Sequence, residues 1–320
     1  MERKRFALLA CVLAALASLF LGAAALSPGE LLSGTGTAAG RIFWYVRLPR
    51  TAGCLLAGAA LSVAGCVIQN VLANPLASPN IIGVNAGAGL AVTVCCALGC
   101  LSGWVIAGAA FGGAFLAVML VSLAAKAVGA SRTTVILAGV AVNAFLGAIS
   151  DAVTNLVPDA GALSSDFRVG GFGAVVPQRL VPAGVLILVA LGAVFCLSNE
   201  LEVLSLGEDT AKSLGLKAER LRTVFLALAA LLCGAAVSFA GLLGFVGLVV
   251  PHIARALVGE RPGKLIPVSA LAGGILVILA DLLGRTLFAP SELPVGILMS
   301  LIGAPYFLIL LVRRRSHAGT

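Results

Sequence analysis

Apolar runs long enough to enter a bilayer recur along the chain, each closed by a short segment rich in charge, glycine or proline. A hydrocarbon core takes about 20 apolar residues of helix. The runs that meet or approach that length are 6–26, 51–72, 81–101, 104–128, 135–156, 180–197, 223–242, 246–258, 266–283 and 295–312. The pattern predicts an all-α polytopic membrane protein of about ten transmembrane helices, with residues 1–320 forming a single domain.

The stretch 223–258 is too long for one crossing and barely long enough for two. Charge parity decides between them. Two crossings bring the basic start (Arg3, Lys4, Arg5) and the basic end (Arg313, Arg314, Arg315) to the same, cytoplasmic side. Gly241, Gly244, Gly247 and Pro251 supply the break, so one member of the pair is expected to be short. On this topology 15 of the 21 basic residues face the cytoplasm, and Arg41, Arg47, Arg50, Arg168, Arg179 and Arg285 face outward. The first run ends near Ala23, Ala24 and Ala25 like a signal peptide, but it is longer than a signal core and reads as a retained span.

Composition sharpens the class. The chain is 60% hydrophobic and 11% charged, with a mean hydropathy of +1.12, which excludes an ordinary soluble domain. The net charge of +8 is dispersed among the spans and forms no patch for nucleic acid. Eight cysteines lie in apolar stretches with no His or carboxylate at metal-ligand spacing, and read as small core residues. With only His252 and His317, a histidine-based metal centre or catalytic triad is not expected. Residues 34–40 (GTGTAAG) read as a loop, and 259–264 lack the Ser or Thr of a phosphate loop, so the chain is expected to hydrolyse no ATP. Asp151 and Asp281, the carboxylates nearest to spans, fall at predicted outer ends, which weakens an ion-coupled carrier.

Between Val46 and Ala91 the chain carries VRLPRTAG and then NPLASPNIIGVNAG, followed by Leu137-Ala138-Gly139-Val140, LSLGEDTAKSLGL (204–216), GFVGLVVPH (244–252), Leu293-Pro294-Val295-Gly296 and Gly303-Ala304-Pro305. These blocks, in this order, resemble the permeases of ABC importers for iron-siderophores, haem and cobalamin. The resemblance implies a type II importer permease fold, a transport subunit and not an enzyme, no cofactor bound by this chain, and ATP and Mg held by a partner ATPase. It also implies partners: two ATPase subunits, a second permease copy or close paralogue, an extracytoplasmic substrate-binding protein, and membrane lipid. The location implied is a prokaryotic plasma (inner) membrane, with both termini and the tail 313–320 cytoplasmic.

Residue by residue, the resemblance assigns the loop 198–222 to ATPase coupling, through Leu206, Gly207, Glu208, Ala211, Leu214 and Gly215, where Glu208, Ala211 and Gly215 keep an E-x-x-A-x-x-x-G spacing. It assigns Arg47, Arg50 and Arg285 to docking glutamates of the binding protein, a task that suits the planar fork of arginine. Asn74 and Pro75 shape an inner turn near the exit, and Arg132, Thr133 and Thr134 open the fifth span at the gate, where the family usually has small hydroxyl residues. Gln69, Asn70, Asn85 and Asn143 are polar positions on apolar helices, expected either to line the path or to bond between helices. Residues 158–179 depart most from the family pattern, lacking the Trp that often precedes the glycine pair. The expected cargo is a metal chelate, an iron-siderophore first, with haem and cobalamin as other members of the class. The competing expectation is a secondary carrier driven by an ion gradient.

Overall fold

The computed structural model describes residues 2–21, 36–129, 131–287 and 289–318, with side chains between residues 7 and 310 apart from Asp209. Among the described residues the structure is helical and contains no strand: α1 (Glu2–Phe20), α2 (Ala38–Val71), α3 (Val84–Ala97), α4 (Gly103–Ala127), α5 (Arg132–Leu156), α6 (Pro158–Val169), α7 (Pro177–Cys196), α8 (Ser198–Ser205), α9 (Glu208–Ser213), α10 (Ala218–Ala240), α11 (Val246–Val258), α12 (Pro262–Thr286) and α13 (Val295–Ala318). Six helices (α2, α4, α5, α7, α10, α12) are long and apolar enough to cross a membrane, and α1, α3, α11 and α13 carry shorter apolar segments. Together they correspond to the ten predicted spans. The alanines at 23–25, Gly34 and Thr35 lie outside the described residues, as do the side chains of Arg3, Lys4, Arg5 and Arg313 to Arg315.

Three elements differ from the hydropathy reading, each for a local physical reason. α2 begins at Ala38, inside the segment read as a loop, because Thr37 caps it by accepting from the Gly40 amide at 3.1 Å. The helix then passes Pro49 by way of a π turn, Phe43–Arg47, in which the Leu48 amide reaches back to the Phe43 carbonyl. That wider turn falls just before Pro49, which has no amide to donate. α3 is only 14 residues long, since Pro79–Ile82 forms a separate 3-10 turn and Gly83 follows at φ 91°. α6 occupies the divergent region and was not legible as a helix in a sequence of mixed polarity. α11, at 13 residues, is the expected short member of its pair.

The break before α11 is paired across the chain. Residues 241–245 leave helical geometry, with Gly241 at φ 68° and Phe245 at φ 64°. The Leu242 amide donates to the Phe167 carbonyl at 2.9 Å, and the Gly171 amide donates to the Ala240 carbonyl at 2.8 Å. Irregular backbone inside a membrane protein needs such partners, because lipid offers none.

α2 is the axle of the bundle: 78% of its most apolar window is buried, against α12, α10 and α11 above all. Small residues permit the approach. A Cβ on Gly58 would overlap the Gly273 carbonyl of α12, and one on Gly65 would overlap the Gly247 carbonyl of α11. Ser62 donates to the Ser269 carbonyl at 2.7 Å in the same seam. α5 lies at the opposite extreme, with 22% of its window buried.

Candidate functional site

Four groups of residues carry candidate function: the loop 198–222, the polar joints at the same end of the bundle, the arginine cluster at the far end, and the open face of α5.

In the loop, α8 buries Leu201 and Leu204 against the bundle and α9 buries Ala211. The turn between them is made at Gly207, φ 129°, and the exit from α9 at Gly215, φ 79°, conformations that favour glycine. Glu208 faces inward. It pairs with Lys212 at 3.0 Å on its own helix and with the buried Arg222 of α10 at 2.9 Å. These two donors, Lys212 first, hold its carboxyl below the usual range. Leu206 and Leu214 point the other way, 67% and 62% exposed. The six residues expected here therefore divide into an outward apolar pair, an inward anchor at Glu208 and Ala211, and two glycine turns. Two further arginines hold the loop: Arg261 reaches Glu202 at 3.2 Å, and Arg132, first residue of α5, donates to the Leu204 carbonyl at 3.0 Å.

Most of the expected path residues prove to be fasteners. Gln69 is 2% exposed; its amide nitrogen donates to the Gly247 carbonyl at 3.2 Å and its oxygen accepts from Arg255. It ties α2 to α11 and lines no open surface in this conformation. Asn70 bonds its own helix at the Cys66 carbonyl, 2.7 Å away, and Asn74, just before Pro75, accepts the Leu76 amide at 3.0 Å. Asn143 donates to the Asn80 carbonyl at 2.7 Å, bonding α5 to the 3-10 turn. Asn85 is half-buried in the first turn of α3, Thr133 is exposed, and Thr134 shares a hydroxyl contact of 2.7 Å with Ser131, the cap of α5.

At the far end, Arg47, Arg50 and Arg285 are all buried, at 4%, 9% and 5% exposure. Arg50 grips the fully buried Asp281 with Nε 3.0 Å from both carboxylate oxygens and Nη2 2.9 Å from Oδ1, and it reaches the exposed Glu292 at 2.8 Å. Arg285 donates to the Ser18 carbonyl at 2.6 Å and lies 3.6 Å from Asp281. Arg47 donates to the Leu19 and Phe20 carbonyls, closing the C-terminal end of α1. The structure thus places the three arginines expected to dock a partner inside the chain, where they staple α1, α2 and α12. Beside them a cleft of about 410 Å³ opens among Arg50, Asp166, Gly170, Glu292 and Pro294, bringing the divergent segment to the arginine cluster.

The fourth group was not read from the sequence as an open face, although the block Leu137-Ala138-Gly139-Val140 and Asp151 were each named there. Leu137, Val140 and Phe145 of α5 are 64%, 58% and 62% exposed and lie on one side of the helix with Ala144, Ala148 and Asp151. Recurrence at three- and four-residue spacing was the available signal, but in a uniformly apolar span it does not separate a face for lipid from a face for a partner.

Sequence and structure comparisons give this geometry a context. The model of the FecCD transport family matches residues 9–313. The hemin transport system permease protein HmuU of Yersinia pestis is 36% identical over 320 residues, covering 98% of this chain and 96% of that protein. The Fe(3+)-citrate import system permease protein YfmD of Bacillus subtilis (strain 168) is 37% identical over 271 residues, covering 85% and 81%. A solved structure of a metal-chelate type ABC transporter in an inward-facing conformation superposes with a TM-score of 0.88 at 29% identity, covering 98% of this chain and 99% of that one.

Proposed function

The chain belongs to the FecCD transport family, and from that premise we propose that it forms the translocation path for an iron-siderophore complex handed over by a substrate-binding protein. It is a permease of a type II ABC importer for metal chelates, and not an enzyme. The relatives named for hemin and ferric citrate support a metal chelate as cargo, and the siderophore is our choice within that class.

The observation that carries the mechanism is the two-helix loop, with Glu208 anchored inward on Arg222 and Leu206 and Leu214 projecting outward. An apolar pair on a short rigid element suits the groove of an ATPase subunit, which would supply ATP and Mg on the cytoplasmic side. Closure of two ATPases would push α8 and α9, and the push would reach α10 through Arg222 and α5 through Arg132. The open face of α5 would meet a second copy of the chain, or a close paralogue, around the path. The binding protein would dock at the far end, by the cleft between Asp166 and Glu292. The setting is a prokaryotic inner membrane with both termini cytoplasmic.

An ion-coupled carrier fits less well, because Asp281 is enclosed between Arg50 and Arg285 and an incoming proton or sodium ion would have to displace a guanidinium. Reconstitution in nanodiscs with and without the ATPase and the binding protein separates the two. Uptake of ferric siderophore that requires ATP and is lost in Glu208→Arg supports the importer. Uptake by the chain alone under an ion gradient refutes it.

A further inference from the structure

We propose that a groove between α4, α7 and α10, at the end of the bundle away from the coupling loop, binds one anionic membrane phospholipid. Its phosphate would lie on Arg179 and one acyl chain in the groove below. The groove has a volume of about 230 Å³, and Trp104, Phe111, Arg179, Ala183, Leu186 and Ala235 are among its lining residues. Its walls are apolar apart from Arg179 and Ser238.

Arg179 carries the argument. Its side chain makes no ion pair and no hydrogen bond among the described residues, although it is half-buried. It does not extend freely toward water either: its guanidinium lies so close over Gly103 that a Cβ there would come within 2.7 Å of Cζ and Nη2. A half-buried cation without a counter-ion at the mouth of an apolar groove matches the two halves of a phospholipid. Neither the first turn of α4 nor that of α7 carries a carboxylate, so nothing on those turns competes for the guanidinium. Trp104, 57% exposed beside it, is the residue type that settles at headgroup level. From Gly103 to Phe111 the wall descends about 12 Å at the helical rise, room for one chain segment below the headgroup.

The leaflet assignment, outer, rests on the importer reading, whereas the binding itself does not. The test is native mass spectrometry of the full chain in mild detergent supplied with palmitoyl-oleoyl-phosphatidylglycerol. The wild type is expected to keep one such lipid per chain after annular lipid is stripped, and not to keep dioleoylglycerol, which lacks the phosphate. Arg179→Gln is expected to weaken retention about tenfold, the size of a lost charge-assisted hydrogen bond. Leu186→Trp, which fills the groove and leaves the cation in place, is expected to weaken it as well. Equal retention by wild type and both variants would overturn the site. Retention by Leu186→Trp together with displacement by millimolar inorganic phosphate would overturn the lipid and leave a free-anion site. Thermal unfolding of each variant confirms that a folded chain is being weighed, and because no transport is read, failure of the importer reading leaves the result interpretable.

Discussion

The Arg132 guanidinium donates to the Leu204 carbonyl at 3.0 Å, so the first residue of α5 is fastened to the last turn of α8. The contact spans 72 residues of sequence and joins the proposed transmission loop to the most open span of the bundle. Arg132→Ala is expected to lower the cargo moved per ATP several-fold while changing the melting temperature little. Arg132→Lys should restore part of the ratio, since an ammonium can still donate to a carbonyl. An unchanged ratio in the alanine variant would remove Arg132 from the transmission.

Asp281 is a fully buried carboxylate held between two buried arginines. Replacing it with Leu leaves Arg50 buried with only Glu292 at its edge, and breaking a buried pair in this way costs about 3–5 kcal/mol. The double variant Arg50→Leu, Asp281→Leu should recover part of that loss, because it removes one of the two guanidinium charges left stranded and leaves Arg285. Denaturant unfolding of the four proteins of the cycle gives the comparison.

Glu208 sets a pH limit on the loop. Its folded carboxyl is held below the ordinary value of 4.5 by Lys212 and Arg222, so the anchor contributes fully above that value and is lost as pH falls through the lower folded value. Amide exchange across residues 206–216, corrected for intrinsic rates, should be flat from neutral pH down to about 5 and rise below it. In Glu208→Gln the same amides should exchange faster throughout and show no such step.

Leu206 and Leu214 should matter to the complex and not to the chain alone, because both side chains are largely exposed. Burying one leucine contributes about 1.5–3 kcal/mol. The pair Leu206→Asp, Leu214→Asp should therefore weaken ATPase binding by at least about tenfold. Thermal unfolding of the isolated permease should be unaltered, and affinity is readable by mass photometry of the mixed subunits.

Gly65→Ala inserts a methyl into the α2–α11 seam, where the Gly247 carbonyl already stands, and should cost about 1–3 kcal/mol. Gly112→Ala, in α4 with nothing within 4 Å of the added carbon, serves as the control and should be neutral or slightly stabilising. The difference in melting temperature between the two variants measures the seam.

Much of the architecture was legible because lipid imposes a length rule: the ten spans and the short helix after Gly241 follow from apolar run length, charge parity and glycine placement, whereas the coupling loop was read from the family resemblance. What hydropathy missed is where polarity does not vary with depth. α6, PDAGALSSDFRV, alternates too irregularly to stand out. Arg50 and Asp281 were read separately, as a docking residue and as a possible carrier carboxylate, because the two halves of one contact are 231 positions apart. Gln69 resembled a path residue for the same reason, since its partner Arg255 is 186 positions away. Each of these side chains is polar in an apolar segment, and a sequence shows that such a group needs a partner without showing which one.

The crosswise pairing of Ala240 and Leu242 with Gly171 and Phe167 bears on how the protein is made. Synthesis delivers 167–171 well before 241–245 leaves the ribosome. The segment that cannot satisfy its own backbone therefore enters a membrane in which its acceptor is already in place, and biogenesis acquires an order. A chain halted after α7 would present the Phe167 carbonyl and the Gly171 amide unfilled, whereas one extended through α10 and the break after it closes both. Insertion intermediates of increasing length should then gain protease resistance abruptly when residue 245 clears the translocation machinery, and not in even steps span by span.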